Sequence, residues 1–300
     1  MEKREYQLIQ EGQHSHWWWL GRKAILQRII EKHLDLEKKL LIADVGCGFG
    51  ANIPMLRQYG DVVGLELNKA ALDSIQQKWG GSVRTLIWKF PNPVGQKFDL
   101  ILLADVIEHI PNDREVSDWI YEHLTDDGCA ILTVPAHMYL WTQMDDVVHH
   151  FRRYSKKELE GLFLDRFTLV RCSYYNFILF PVKIAFTLFD RLKNALVRQG
   201  EKRSYNEVPP AFINKFFKYF LLLESRWLSY FDLPYGVSLL IAVKKAKSFD
   251  PRAKAKLKIA EIPGDEPPRI GGETKLQVLR WGAAYYFRFI RELWFWRSAR

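Results

Sequence analysis

Leu40-Leu41-Ile42-Ala43-Asp44-Val45-Gly46-Cys47-Gly48-Phe49-Gly50 is the stretch on which the fold turns. A short run, apolar except for Asp44, breaks into three glycines at alternate positions, and a helix-like stretch follows with Pro54 near its first turn. That is the signature of strand, tight turn and helix. Moving outward, Asp61 to Leu67 reads as a second strand ending at Glu66, and Lys69 to Trp79 has helical spacing. Ser82 to Trp88 and Phe98 to Leu103 read as a third and a fourth strand. Asp113 to Leu124 is an amphipathic helix closed by Asp126-Asp127-Gly128, and Ala130 to Val134 is a fifth strand. Near-continuous apolar strands alternating with helices predict a doubly wound α/β domain, its parallel sheet covered on both faces. Phe167 to Tyr174 and Gly236 to Val243 bring the strands to seven and leave residues 175–235 as a helical insertion between the last two.

The chain has 300 residues, 48% hydrophobic and 26% charged, with a net charge of +9. That charge is uneven. Residues 1–170 carry 20 Lys and Arg against 24 Asp and Glu, whereas residues 171–300 carry 24 against 11 and hold 25 of the 43 aromatics. No stretch reaches the roughly 18–20 uncharged apolar residues of a membrane-spanning helix. The N-terminus leads to no apolar signal region, and Cys47, Cys129 and Cys172 have no metal-ligand or disulfide-framework spacing, so a cytoplasmic protein is expected.

In doubly wound sheets, ligands bind beyond the carboxyl ends of the strands. Gly46, Gly48 and Gly50 let the backbone approach a ligand closely. Glu66, at the next strand end, is placed to accept hydrogen bonds from ribose hydroxyls, which together predicts a nucleoside ligand. The run Asp44-Val45-Gly46-Cys47-Gly48-Phe49-Gly50 lacks the third glycine spacing of dinucleotide folds. With Gly64-Leu65-Glu66, Phe98-Asp99-Leu100-Ile101, Asp105-Val106-Ile107-Glu108-His109-Ile110 and Leu124-Thr125-Asp126-Asp127-Gly128, it resembles the Rossmann-like (class I) S-adenosylmethionine-dependent methyltransferases. More narrowly, it resembles the small-molecule branch that includes ubiquinone-biosynthesis enzymes. The resemblance spans about residues 39–136 and implies S-adenosyl-L-methionine as cofactor. An acid at Asp44 suits the ammonium of that cofactor and would repel a phosphate. The resemblance also implies that the glycine loop, Cys47 included, holds the amino-acid part, that Glu66 binds both ribose hydroxyls, with Leu67 beside it, and that Asp105 lies beside cofactor or substrate. The family's acid after the third strand is absent, and Trp88 is the residue expected to pack on adenine. Base methylation of nucleic acid is not expected, because Ala104-Asp105-Val106-Ile107 lacks the motif for it.

Transfer to an alcohol or phenol needs a base. His149 and His150 are the first candidates, with Asp145 or Asp146 orienting one of them, and His109 is the next. His137, Tyr139 and Trp141, together with Arg152 and Arg153 for an anionic group, are the expected substrate contacts. Ser155 and Glu158 have the spacing of a capping box. The segment 1–38, with Trp17-Trp18-Trp19, is read as a helical lid over the cleft, placing Arg22 near the cofactor carboxylate; three consecutive tryptophans cannot all face one side of a helix. His14 and His16 lack companion cysteines, so no metal site is expected.

The catalytic domain is expected over residues 39–243, followed by a Lys- and Pro-rich linker over 244–275 and an amphipathic helix over 276–300. On that helix Tyr285, Phe289, Leu293 and Trp296 share one side, opposite Arg280, Arg288 and Arg291. The expectation is thus an O-directed methyltransferase, its acceptor a hydroxyl of a small-molecule or lipid-linked compound. It would sit peripherally at an anionic membrane surface on the cytoplasmic side, with oligomeric state open. The competing reading is a non-catalytic cofactor-binding module that recruits partners or membrane through its basic aromatic tail.

Overall fold

In a computed structural model describing residues 3–196 and 207–246, strand β1 (Leu40–Val45) lies between two parallel neighbours, β2 (Gly60–Glu66) and β4 (Phe98–Ala104). The edge strand β3 (Arg84–Ile87) extends the sheet beyond β2, and β5 (Leu124–Pro135) extends it beyond β4. β6 (Phe167–Tyr175) and β7 (Ser238–Lys245) complete a seven-stranded sheet of order β3-β2-β1-β4-β5-β7-β6. The central strands are apolar because both faces are covered: Ile42, Leu100, Ile101, Leu102, Ile131 and Leu132 have no exposed surface. Each such side chain contributes roughly 1.5–3 kcal/mol by leaving water.

The parallel pairing expected of the first five strands holds from β1 through β5, and the last strand departs from it. β7 runs antiparallel to both β5 and β6. Tyr175 at the end of β6 pairs with Ser238 at the start of β7, so the two strands form a hairpin whose connection has been enlarged into the insertion. A hairpin needs no crossover, and antiparallel pairing follows. Ser238 also pairs with Pro135 at the carboxyl end of β5, so the insertion leaves and returns at the ligand-binding end of the sheet. Two strand bounds also differ. β5 begins at Leu124, with Asp126-Asp127-Gly128 inside the strand, because Phe98 already pairs with Leu124 ahead of a bulge. β7 runs on to Lys245, two residues into the stretch read as linker.

Helices flank the sheet. α1 (Lys3–Gly12) and α2 (Trp17–His33) precede it, and a single turn, α3 (Ile53–Leu56), follows the glycines. α4 (Lys69–Trp79) and α5 (Arg114–His123) cover the Rossmann-like half. After β5 come α6 (Gln143–Val147) and α7 (Lys156–Gly161), the latter opened by the capping box of Ser155 and Glu158. The insertion holds α8 (Phe180–Leu196) and α9 (Ala211–Trp227). Among the described residues, no helix is long and apolar enough to cross a membrane. The charged loop at 198–206, the linker beyond Ala246 and the helix expected at 276–300 lie outside the described residues.

α9 is built into the domain. Gly21 of α2 faces Leu221 of α9 so closely that a Cβ on Gly21 would lie 2.3 Å from Leu221 Cδ1. Asn214 grips the turn between α1 and α2, accepting from the Trp17 N–H at 2.7 Å and donating to the Ser15 carbonyl at 2.8 Å. The buried Glu224 carboxylate accepts from the N–H groups of Phe177 (3.0 Å) and Ile178 (2.8 Å), tying α9 to the end of β6. Burial pushes the Glu224 pKa up to about 7 against these bonds. The three tryptophans do diverge: Trp17 meets Phe217 edge-on, Trp18 stacks on Tyr175, and Trp19 meets His16 edge-on.

Candidate active site

A cleft of about 1110 Å³ opens beyond the carboxyl ends of β1, β2 and β4, with walls from the N-terminal helices and the insertion. The glycine turn forms one side. Gly46 and Gly48 have φ of +64° and +52°, in the left-handed region that favours glycine. A Cβ at Gly46 would lie 2.8 Å from Val106 Cγ2, whereas Gly48 has open space where a Cβ would stand. Gly48 lines the cleft, so the backbone itself is the surface presented to a ligand.

Glu66 is fixed beside this turn. Its Oε2 accepts from the Gly48 N–H at 3.0 Å, and its Oε1 accepts from the N–H groups of Leu67 (2.8 Å) and Asn68 (2.9 Å). Asn68 in turn caps α4, so one short segment sets both the helix start and the carboxylate. A carboxylate offers about four lone-pair sites, so Glu66 keeps acceptor capacity toward the cleft it lines. Cys47, Leu67 and Trp88 line the same region. Burial pushes the Cys47 thiol well above its ordinary pKa, which makes it a wall rather than a nucleophile. The Trp88 indole N–H donates to the Asn92 carbonyl at 2.7 Å, and its ring packs on Trp119.

Asp44 lies behind the turn and does not line the cleft. Only 1% of it is exposed, beside the Asn52 side chain. Burial pushes its pKa up to about 7, opposed by Asn52 and Arg22. Arg22, expected near the cofactor carboxylate, pairs with Asp105, and it also reaches the Ala104 carbonyl at 3.4 Å. Asp105 itself sits at φ +58°, held by the Thr133 hydroxyl at 3.0 Å. Arg22 and Asp105 both line the cleft, but as an ion pair. Gly50 packs against Ile53, Ile75 and Trp79, away from the cleft.

Opposite the glycine turn, the segment after β5 brings His150 back to the end of β4. His150 Nδ1 lies 2.9 Å from Asp145 Oδ1. An ionised carboxylate only accepts, so Nδ1 carries the proton and Nε2 presents its lone pair. Asp145 is fixed in turn by Arg153, whose Nε and Nη2 reach its two oxygens at 2.8 and 3.0 Å. Burial works to raise the Asp145 pKa, but His150 and Arg153 hold it below the usual carboxylate range. His109 meets His150 edge-on at 4.7 Å between ring centroids. Burial, and then His150, lower the His109 pKa to about 4, so its ring is neutral near pH 7. His149, at φ +59°, lies on the exposed rim.

Glu108 is the residue that sequence reasoning passed over. It lies inside the strand-end motif, yet it is fully buried, lines the cleft, and has neither carboxylate oxygen hydrogen-bonded. Burial, reinforced by Asp105, pushes its pKa well above the usual carboxylate range. Its Oε1 lies 3.8 Å from His150 Nε2. Glu108, His109 and His150 offer ligand atoms within 4.8 Å of one another, a donor set that could hold a metal ion. The alternation of Asp105, Glu108 and His109 at a strand end was the signal available for it.

The expected substrate contacts divide. Arg153 lines the cleft but is committed to Asp145. Arg152 points elsewhere, pairing with Asp113 at 2.6 Å and donating to the Pro111 carbonyl. His137 stacks between Tyr139 and Tyr174, and burial lowers its pKa to about 4. Trp141 donates to Asp146 at 3.0 Å. None of Arg152, His137, Tyr139 and Trp141 lines the cleft, each being held by the partner just named. Other residues do line it, among them Asn176, Leu179, Lys183 and Phe186 of the insertion.

Residues 43–130 match the family model described as a methyltransferase domain. A ubiquinone biosynthesis O-methyltransferase from Rickettsia prowazekii (strain Madrid E) is 26% identical over 151 residues, covering 44% of this chain and 59% of that protein. The chain therefore spans under two thirds of the length of the curated relative it matches. Among solved structures, a TehB-like SAM-dependent methyltransferase from Corynebacterium glutamicum ATCC 13032 Kitasato is 15% identical with a TM-score of 0.45, covering 73% of this chain and 86% of that one. A coclaurine N-methyltransferase bound to N-methylheliamine and SAH is 16% identical with a TM-score of 0.47, covering 74% and 72%. The strand order and the matched residues give the chain the Rossmann-like methyltransferase fold.

Proposed function

We propose that the protein is an S-adenosylmethionine-dependent methyltransferase that methylates a hydroxyl of a small-molecule or lipid-linked acceptor. The observation that carries this reading is the pairing, across one cleft, of the Glu66-anchored glycine turn with the Asp145–His150 dyad. The residues fit the cofactor. Glu66 retains acceptor sites for ribose hydroxyls, Gly48 leaves room for a ligand against the backbone, and Trp88 offers a flat apolar face at the end of β3. Asp44, being recessed, would act on the ammonium only through the turn it underlies. When bound, S-adenosylmethionine supplies an electrophilic methyl group on a sulfonium.

The chain's own residues then have two tasks. The first is alignment, since an in-line displacement gains most from holding donor and acceptor in register. The lid-like N-terminal helices and the insertion enclose the cleft for this, through Trp18, Trp19, Leu179 and Phe217. The second is proton removal. His150 accepts the acceptor hydroxyl's proton at Nε2, while Asp145 holds Nδ1–H and stabilises the charged ring. The buried Glu108 carboxyl stands 3.8 Å from Nε2, beside the proton path. The apolar insertion wall suits a greasy acceptor, which supports work at the inner membrane face. Calorimetry with S-adenosylmethionine and S-adenosylhomocysteine tests the reading, followed by incubation of a lipid extract with methyl-labelled cofactor. Binding of neither compound ends the proposal, and label appearing only on amines would move it from oxygen to nitrogen.

A further inference from the structure

We infer that the outer faces of α8 and α9 dock on an anionic lipid bilayer, setting the mouth of the cleft against the membrane. This deepens the function proposed above, since it names the source of the acceptor and rests on that reading of the cleft. α8 exposes Val182, Phe189 and Leu192, spaced seven and three residues apart on one side, with Phe189 64% exposed. α9 exposes Phe212, Phe216 and Tyr219, spaced four and three apart, with Phe212 79% and Tyr219 63% exposed. A helix packed on a soluble domain ordinarily turns polar residues outward at such positions. Large apolar faces left in water mark interaction surfaces.

The charges choose the occupant. The acids of these two helices, Asp190 and Glu224, are buried. Among the described residues, the exposed charges on α8 and α9 are Arg191, Lys215 and Arg226, all basic. Aromatic and aliphatic stripes rimmed by cations are what an anionic interface attracts. A second copy of this chain would bring the same positive charge against itself, which opposes self-association through this face. The position is also apt, because Val182 and Phe186 of α8 and Phe217 of α9 line the cleft, so an apolar chain entering between the helices stays out of water.

Vesicle sedimentation of the full chain tests the inference, using phosphatidylcholine alone and phosphatidylcholine mixed with phosphatidylglycerol. The full chain should bind the mixed vesicles more tightly. Phe189→Ser combined with Phe212→Ser and Tyr219→Ser should weaken that binding at least about tenfold, as expected for withdrawing three aromatic side chains from the interface. Lys215→Gln and Arg226→Gln should each weaken it about fivefold on mixed vesicles only. All three aromatics lie off the cleft wall, so S-adenosylhomocysteine binding and the melting temperature should stay as in the parent. Unchanged vesicle binding by the triple variant would overturn the inference, as would absence of binding by the parent. A dimer that the triple variant dissociates, with no change on vesicles, would overturn it in favour of a second copy. If the parent binds vesicles but not S-adenosylhomocysteine, the docking surface stands and the proposed function falls.

Discussion

His150 Nδ1 lies 2.9 Å from Asp145 Oδ1, and Arg153 grips that carboxylate through two of its nitrogens. The three residues are within eight positions of one another, so a single turn of chain after β5 carries a base, its orienter and the orienter's anchor. The imidazole is thereby fixed in one tautomer before any acceptor arrives. His150→Gln should therefore lower methyl transfer by about 10²–10⁴-fold, the usual worth of a positioned base. Its affinity for S-adenosylhomocysteine, measured by calorimetry, should not change. A variant that retains parental turnover would remove His150 from the proton path.

Glu66 reaches backbone N–H groups on both sides of the glycine turn. Glu66→Ala takes away a charged acceptor from the ligand and at the same time loosens Gly48. Hydrogen bonds to charged groups are worth about 1.5–3 kcal/mol, so the dissociation constant for S-adenosylhomocysteine should rise at least about tenfold. Equal affinity in the variant would take Glu66 out of the site.

The recessed Asp44 carboxylate gives a pH dependence with a definite sign. Its pKa is pushed from 3.8 up to about 7 in the folded chain, chiefly by burial. Between those values the native state holds a proton that the unfolded state has released, so raising the pH removes stability across that window. Asp44→Asn carries no ionisable group there and should flatten the slope. Thermal denaturation of parent and variant at intervals from mildly acidic to neutral pH compares them; parallel slopes would mean that Asp44 titrates as an ordinary carboxylate.

The contact between α2 and α9 leaves no room for a methyl group at Gly21, where a Cβ would come within 2.5 Å of Leu221 Cβ and nearer still to its Cδ1. Gly21→Ala should cost about 1–3 kcal/mol through overpacking, read as a lower melting temperature. Leu221→Ala in the same chain should restore part of the loss, since it opens the space that the new methyl requires. Two losses that simply add would show that the helices do not meet as described.

The strand and turn pattern of the Rossmann-like half was legible because each element there is local. An apolar run such as Leu100 to Leu103 can satisfy its burial only inside a covered sheet, and the glycines with Glu66 mark strand ends wherever they occur. The capping box at Ser155 and the helix from Lys69 to Trp79 were fixed by neighbours three or four residues away. Position along the chain also sufficed to nominate His109, His149 and His150, all of which line the cleft.

What tertiary structure alone decided was which way side chains turn once distant segments meet. Arg22 and Asp105 are separated by 83 positions, and nothing local told that they would pair with each other. Arg152 found Asp113, His137 found Tyr174, and both lie off the cleft on partners from other elements, the start of α5 and β6. Glu108 looked like one more acid at a strand end, and only three-dimensional packing made it a fully buried carboxyl with a raised pKa beside His150. The direction of β7 belongs to the same class, because it follows from where the insertion returns to the sheet. Sequence determines the backbone periodicity and the chemical inventory through short-range sterics and burial. The pairing of charges and the shift of their pKa values depend on desolvation, which exists only after the fold has closed around them.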